Sequence, residues 1–146
     1  MMDGKTSMVL PVRYLEMIIR LKNSELFSTL STEQLFPLAD ILTEVEFKAD
    51  EVVVEQGTTG DHMYLILEGE LVASCDGQLI AEFEMGHCFG ELAMLDRGVR
   101  SATVRTKTAS RLAAIAHDDF HDLLAMYPDL SRAVTEILLT RLRELS

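Results

Sequence analysis

The hydrophobic positions of the chain change period twice. Between Val12 and Leu21 the apolar residues Leu15, Ile18, Ile19 and Leu21 follow helical spacing. Leu26, Phe27 and Leu30 anchor a short connector over residues 24–30. Ser31 or Thr32 then caps a second helix, with Glu33 and Gln34 in its first turn. That helix places Leu35, Leu38, Ile41 and Leu42 on one face. Pro37 falls near its start, where a missing N–H is tolerated. From Val45 the period becomes two, with Val45 and Phe47 alternating with Glu44, Glu46 and Lys48. After a turn at Ala49-Asp50, strand-like runs follow at 52–54, 63–67, 71–75, 79–83, 102–105 and 111–115. Turn signals at Gly57 to Gly60, Glu68-Gly69 and Glu84 to Gly86 separate them. Asp76-Gly77 is a strong two-residue hairpin signal. Helical spacing returns from Asp118 to Tyr127, with Phe120, Leu123 and Leu124 inward, and Pro128 ends that helix. Asp129 leads into a last helix over 130–145. Its apolar stripe is Leu130, Val134, Ile137, Leu138, Leu142 and Leu145.

Helices, then many short strands with regular turns, then helices predict an α+β (mainly β) fold. The expected architecture is an antiparallel β-roll or jelly roll flanked by N-terminal helices and a C-terminal helix pair. With 146 residues, the chain is long enough for one domain with a sizeable core. The polar, small-residue start, Met1 to Ser7, reads as a disordered lead-in.

Composition narrows the function classes. A hydrophobic content of 48% and a charged content of 25% suit a soluble globular protein. The net charge of -11, from 24 acidic and 13 basic residues, repels nucleic acid and anionic membranes. Cys75 and Cys88 match no zinc spacing and read as buried free thiols. No apolar run reaches the ~18 residues of a membrane span, and no secretory segment precedes the domain, so the cytoplasm is expected.

The run from Phe89 to Val104 carries the candidate chemistry. Gly90 lets the backbone approach a ligand closely, and the carboxylate of Glu91 follows at once. A helix-compatible stretch, Leu92 to Leu95, comes next. A turn at Asp96 to Gly98 then returns Arg100 beside a strand-like segment. N–H groups at a helix start attract phosphate, and a guanidinium clamps it through two parallel hydrogen bonds. A carboxylate does not bind phosphate, so Glu91 accepts hydrogen bonds from a neutral hydroxyl such as a ribose 2′-OH. One anion and one sugar hydroxyl held together suggest a nucleotide.

Phe-Gly-Glu-Leu-Ala at 89–93 followed by Arg-Ser-Ala-Thr-Val at 100–104 resembles the phosphate-binding cassette of the cyclic nucleotide-binding domain family. This is the family of the catabolite activator protein and the protein kinase A regulatory subunits. Gly57, Gly60, Gly69 and Gly86, with the stretch Asp61 to Gly69, are similar to its β-roll turns and strand, and the likeness runs over about 24–142. It implies a lead-in and helix over 1–23 and a cyclic nucleotide-binding domain over 24–146, whose last helix is a lid over the base. The implied ligand residues are Gly90, Glu91, Leu92, Ala93, Arg100, Ser101 and Ala102. Arg100 would pair with the cyclic phosphate and Glu91 with the ribose. Leu92 and Ala93 would act through backbone N–H groups. Ser101 is open between the phosphate, a syn guanine and a turn contact to local backbone. The implied ligand is cAMP, with cGMP as the alternative, and no cofactor or metal.

The implied function is a ligand-gated switch for an effector outside this chain, either in a larger protein or in trans. DNA-binding members of the family continue into a helix-turn-helix domain beyond the point where this sequence stops. The rival is a scaffold or dimerisation module without a physiological ligand, in which the last apolar stripe forms a homodimer; the other reading of the stripe is that it covers its own roll. The base-capping residue is open, with Arg141, Leu145 and Ser146 closest to hand.

Enzyme and metal readings are weaker. His117 and His121 lie four apart on one helix face, but no third ligand has matching spacing. His62 and His87 read as solvent-facing turn residues, and the His-x-His pattern of metal-binding cupin rolls is absent. No nucleophile–base pair stands out, since His87 and Cys88 point to opposite strand faces. The protein reads as a non-enzyme.

Overall fold

A computed structural model describes residues 13–95 and 97–145, without the side chain of Leu145. The expected lead-in, Val12, Asp96 and Ser146 lie outside these residues. Helix α1 covers 13–22. Helix α2 (Thr32–Asp40) follows the connector. Eight strands come next: β1 (Thr43–Phe47), β2 (Val52–Val54), β3 (His62–Glu68), β4 (Leu71–Cys75), β5 (Gln78–Phe83), β6 (Cys88–Phe89), β7 (Thr103–Thr106) and β8 (Ser110–Ala116). A short 3-10 helix (Glu91–Met94) interrupts them, and α3 (His117–Met126) and α4 (Pro128–Leu145) close the fold.

The strands form two antiparallel sheets, ordered β1-β8-β3-β6 and β2-β7-β4-β5. Asp76 and Gly77 both take positive φ, 52° and 83°. A tight two-residue hairpin needs this left-handed pair, and it joins β4 to β5 with Cys75 opposite Gln78.

Strand alternation divides the apolar side chains between two cores. On β3, Met63, Leu65 and Leu67 face a helical core with Leu21, Phe27, Leu30, Leu35, Leu38 and Phe120. Ile66 faces the interior of the roll with Leu71, Ala73, Phe89, Val104 and Leu112, and Tyr64 packs against that cluster. Helix α1 joins the helical core through Met17, Ile18 and Leu21. Arg20 ties it to the roll by donating to the Leu67 carbonyl at 2.8 Å. Arg111 on β8 donates to Glu16, Glu44 and Glu68 at 3.2, 3.0 and 2.9 Å, which explains why Glu44 is half-buried on an otherwise polar face of β1.

Several expectations shift. Ser31 is the N-cap of α2 and forms a capping box with Gln34. Pro37 lies inside the helix rather than in its first turn, and α2 ends at Asp40, so Ile41 forms the C-cap. Pro128 ends α3 and also opens α4 as its first residue, where its fixed φ suits helix entry. The two-residue strand β6 has no sequence signature. Leu79 and Ile80 on β5 are 62% and 59% exposed. His62 begins β3 rather than a turn, and both it and His87 are half-buried. The ring of His87 accepts the Glu84 N–H at 3.0 Å, and that of His62 meets Asp61 at 2.7 Å. Cys88 is buried, but Cys75 is only partly so.

The stripe on α4 divides as well. Leu130, Val134 and Leu138 are buried against the chain's own core and Ile137 packs on it, while Leu142 stays exposed, as does Leu139 outside the stripe. Among the described residues, no helix is long and apolar enough to cross a membrane.

Candidate ligand-binding site

The site begins where β6 leaves the sheet. Gly90 takes φ 80° and ψ 13° and turns the chain into the 3-10 helix. A side chain there would be strained by the dihedral and crowded, since a Cβ would lie 2.8 Å from Arg100 Nη1 and 3.0 Å from the His62 carbonyl. The Ala93 N–H bonds the Gly90 carbonyl at 3.0 Å, which leaves the Leu92 N–H with no partner inside the helix. Ala93 and Met94 are buried and fix the helix to the core. At its far end, His121 Nε2–H donates to the Met94 carbonyl at 2.6 Å, a bond that requires the proton on that nitrogen.

Arg100 reaches the same place from the opposite side. Its backbone N–H donates to Thr58 at 2.7 Å, and its carbonyl accepts from Gly57 at 2.9 Å. The glycine turn at 57–60 therefore holds the arginine backbone. The side chain runs across Gly60, where any Cβ would overlap the guanidinium. Nη2 donates to the His62 carbonyl at 2.6 Å. Burial lowers the Arg100 pKa from its ordinary value, and Tyr64 and Asp61 oppose that shift. Arg100 remains a cation. It has no carboxylate within ion-pair distance among the described residues.

Gly90, Glu91, Leu92, Ala93, Arg100, Ser101 and Ala102 all line one cavity of about 640 Å³. That volume lies within the range usual for small-molecule sites. The walls come from the roll interior: Val54, Ala73, Ala81, Phe83, Phe89 and Val104. Alanines at 73 and 81 leave the space that larger side chains would fill. Ile80, Leu92, Leu95, Val99 and Leu142 supply an apolar rim. Ser101 is exposed and makes no hydrogen bond with the described residues, so its turn-contact reading is not realised.

The Glu91 side chain is only 14% exposed. Burial raises its pKa, Arg141 on α4 lowers it, and Glu25 raises it further. Arg141 Nε lies 3.7 Å from Glu91 Oε2, and Arg141 Nη2 lies 2.8 Å from Glu25 Oε1. The last turns of α4 are thus fastened over the cassette.

Sequence reasoning missed Leu142, Ile80 and Glu25 as neighbours of the site. Leu142 carried a signal, being on the apolar stripe one residue after Arg141. Glu25 carried none, because nothing local links it to residues 91 and 141. The imidazoles of His117 and His121 lie with centroids 4.2 Å apart and their planes tilted by 36°. Among the described residues, no group of three or more His, Cys, Asp or Glu side chains could hold a metal ion.

The chain resembles known proteins in sequence and in fold. The chain is 34% identical over 114 residues to a "cAMP-dependent protein kinase regulatory subunit" of Emericella nidulans, covering 77% of this chain and 28% of that protein. It therefore spans less than a third of that relative's length. Its fold resembles the N-terminal domain of a transcriptional regulator from Streptomyces coelicolor A3(2). The TM-score is 0.78 and the identity 27%, covering 86% of this chain and 92% of that one. It also resembles the Thermus thermophilus catabolite activator protein, with a TM-score of 0.71 and 26% identity over 84% of this chain and 60% of that one. Residues 44–127, more than half the chain, match the cyclic nucleotide-binding domain, and the chain belongs to that family.

Proposed function

We propose that the cavity binds a cyclic nucleotide, with cAMP the first choice and cGMP the alternative, and that the domain is a non-catalytic regulatory switch. The observation that carries this reading is Arg100. A half-buried guanidinium without a carboxylate partner among the described residues points into a cavity of nucleotide size. A compact monoanionic diester supplies the missing charge, and Arg100 clamps it. Glu91, on the same wall, accepts the ribose 2′-OH. The backbone N–H of Leu92 faces the phosphate, with Gly90, Ala93, Ser101 and Ala102 around it; the Ala93 N–H, expected as a second donor, is instead bonded to the Gly90 carbonyl. The base lies against the apolar rim, where Leu142 is the side chain that α4 contributes.

The mechanism follows from that last contact. A ligand shifts a two-state element only by its differential affinity for the two states. Here α4 is the element, since it touches the cavity through Leu142 and the cassette through Arg141. The regulatory-subunit name of the fungal relative supports a role in signal transduction. The effector is a separate domain or protein. The module comprises residues 24–146, with α1 docked on it. A cytoplasmic location suits its free thiols. Homodimer pairing through α4 would rest on Leu139 and Leu142, because Leu130, Val134 and Leu138 are already buried.

Thermal unfolding tests the reading. A hundredfold excess of cAMP over its Kd should raise the Tm by on the order of 5–10 °C. The same concentration of 5′-AMP should shift it far less, because an open phosphomonoester carries more charge and a different shape. Equal shifts from the two nucleotides would remove the case for a cyclic-phosphate cage.

A further inference from the structure

We infer that Glu25 is a positioning residue for the nucleotide site: by holding Arg141, it keeps the Glu91 carboxylate free for the ribose hydroxyl. The inference rests on the role given to Glu91 above. Glu25 belongs to the connector between α1 and α2 and does not line the cavity. Its Oε1 accepts a hydrogen bond from the Cys88 N–H at 3.0 Å and forms an ion pair with Arg141 Nη2 at 2.8 Å. Cys88 lies on β6, three residues before Glu91. One side chain thus joins the connector, the strand that delivers the cassette, and α4.

The charges are unequally shared. One guanidinium faces two carboxylates, and the Glu25, Arg141 and Glu91 side chains are 34%, 22% and 14% exposed. Arg141 makes a close ion pair with Glu25, at 2.8 Å. To Glu91 it makes only a 3.7 Å contact, too long for a hydrogen bond. Glu91 is the more buried carboxylate and has the greater need of a partner. Among the described residues it is left without a close cation because Glu25 outcompetes it for Arg141. A ribose hydroxyl can then take the vacant acceptor positions.

Removing the Glu25 charge reverses the balance. Arg141 loses its stronger partner, and Glu91 is the carboxylate within reach. A guanidinium pairs well with both oxygens of one carboxylate. In that state Arg141 occupies the atoms that the 2′-OH needs, and Glu91 stops distinguishing a ribose from a deoxyribose. The effect passes entirely through Arg141, which separates it from a purely structural role of Glu25 on β6.

Glu25→Gln tests this, because the amide oxygen still accepts the Cys88 N–H while the charge is lost. Calorimetry would give the Kd of cAMP and of 2′-deoxy-cAMP for the parent, Glu25→Gln, Arg141→Met and the double variant. In the parent background, Glu25→Gln should lower the ratio of the two Kd values about fivefold, a coupling typical of residues in contact. In the Arg141→Met background, the same change should leave the ratio essentially constant. An unchanged ratio in Glu25→Gln, an equal drop with Arg141 absent, or a Glu25→Gln protein that fails to fold would each overturn the inference. A parent that binds both nucleotides equally would overturn the ribose role of Glu91 itself, and the inference with it. A parent that discriminates, with a Glu25→Gln variant that discriminates as well, overturns the Glu25 role alone.

Discussion

Replacing Arg100 with alanine is expected to weaken cAMP binding by about 30-fold or more, with the fold intact. The guanidinium is half-buried and has no carboxylate partner among the described residues, so the phosphate is its natural counter-charge. Truncating one member of such a pair leaves the other charge desolvated and unpaired, a loss of about 2–5 kcal/mol. Each 1.4 kcal/mol is a factor of about ten in Kd. The fold should survive because Arg100 holds the Gly57–Gly60 turn through its backbone, with bonds of 2.7 and 2.9 Å to Thr58 and Gly57. Among the described residues, only the side-chain bond to the His62 carbonyl is lost. Arg100→Lys should recover part of the affinity, since a point charge replaces the fork without its two parallel bonds. Calorimetry gives the affinities, and a melting curve within a few degrees of the parent shows that the domain is folded. Parent-like affinity in Arg100→Ala would place the phosphate elsewhere.

Sequence patterns reached the fold through local chemistry and failed where structure depended on distant partners. Asp76-Gly77 was legible because few dipeptides accept two successive positive φ angles. The cassette was legible because Gly90, Glu91 and Arg100 fall within eleven consecutive residues. β6 was not legible, because two residues carry no period; Cys88 and Phe89 are a strand only by pairing with Leu65 and Tyr64. The exposure of Ile80 could not be read either. Alternation places Leu79 and Ile80 on opposite faces, yet the register shifts there, with Ala81 opposite Ala73 and Leu79 opposite Ser74, so Ile80 is the extra residue of a bulge and both stay open. Pro37 is the sixth residue after the Ser31 cap, past the first turn, so it sits inside a helix of nine residues rather than at its start.

The cavity itself follows from residues that do little alone. β4 and β5 face the roll interior with Ala73 and Ala81, which pair directly across the two strands. Two alanines opposite each other leave a gap in a layer otherwise filled by Phe83, Phe89 and Val104. The stacked rings of Tyr64, Phe89 and Phe83, with centroids 5.2 and 5.6 Å apart, hold one side of that gap rigid. The cassette and Arg100 then close over it. An apolar chamber with a cation and a carboxylate at its mouth suits a ligand with an apolar base and a polar sugar-phosphate end.

Glu91→Ala is expected to cost roughly 10- to 150-fold in cAMP affinity, the equivalent of a charge-assisted hydrogen bond of about 1.5–3 kcal/mol. It should also remove most of the discrimination against 2′-deoxy-cAMP, because the side chain and the hydroxyl are two ends of one bond. A cycle of protein variant against ligand variant measures that coupling directly. The same group gives the binding a pH dependence of fixed sign. Burial raises the Glu91 pKa, opposed by Arg141 and reinforced by Glu25. Above that raised pKa the carboxylate is charged and the bond to the 2′-OH has full strength. As pH falls through it, Glu91 takes up a proton and cAMP affinity declines, beginning at a higher pH than an ordinary glutamate would give. The stability of the free protein moves in the opposite direction: a carboxyl with a raised pKa binds its proton more tightly folded than unfolded, so its burial cost shrinks as pH falls. The cAMP-induced rise in Tm should therefore narrow on acidification in the parent and lose that dependence in Glu91→Gln. Additive effects of Glu91→Ala and the missing hydroxyl, or the same acid dependence in Glu91→Gln, would reduce Glu91 to a helix-start acid and leave Arg100 alone to carry the nucleotide.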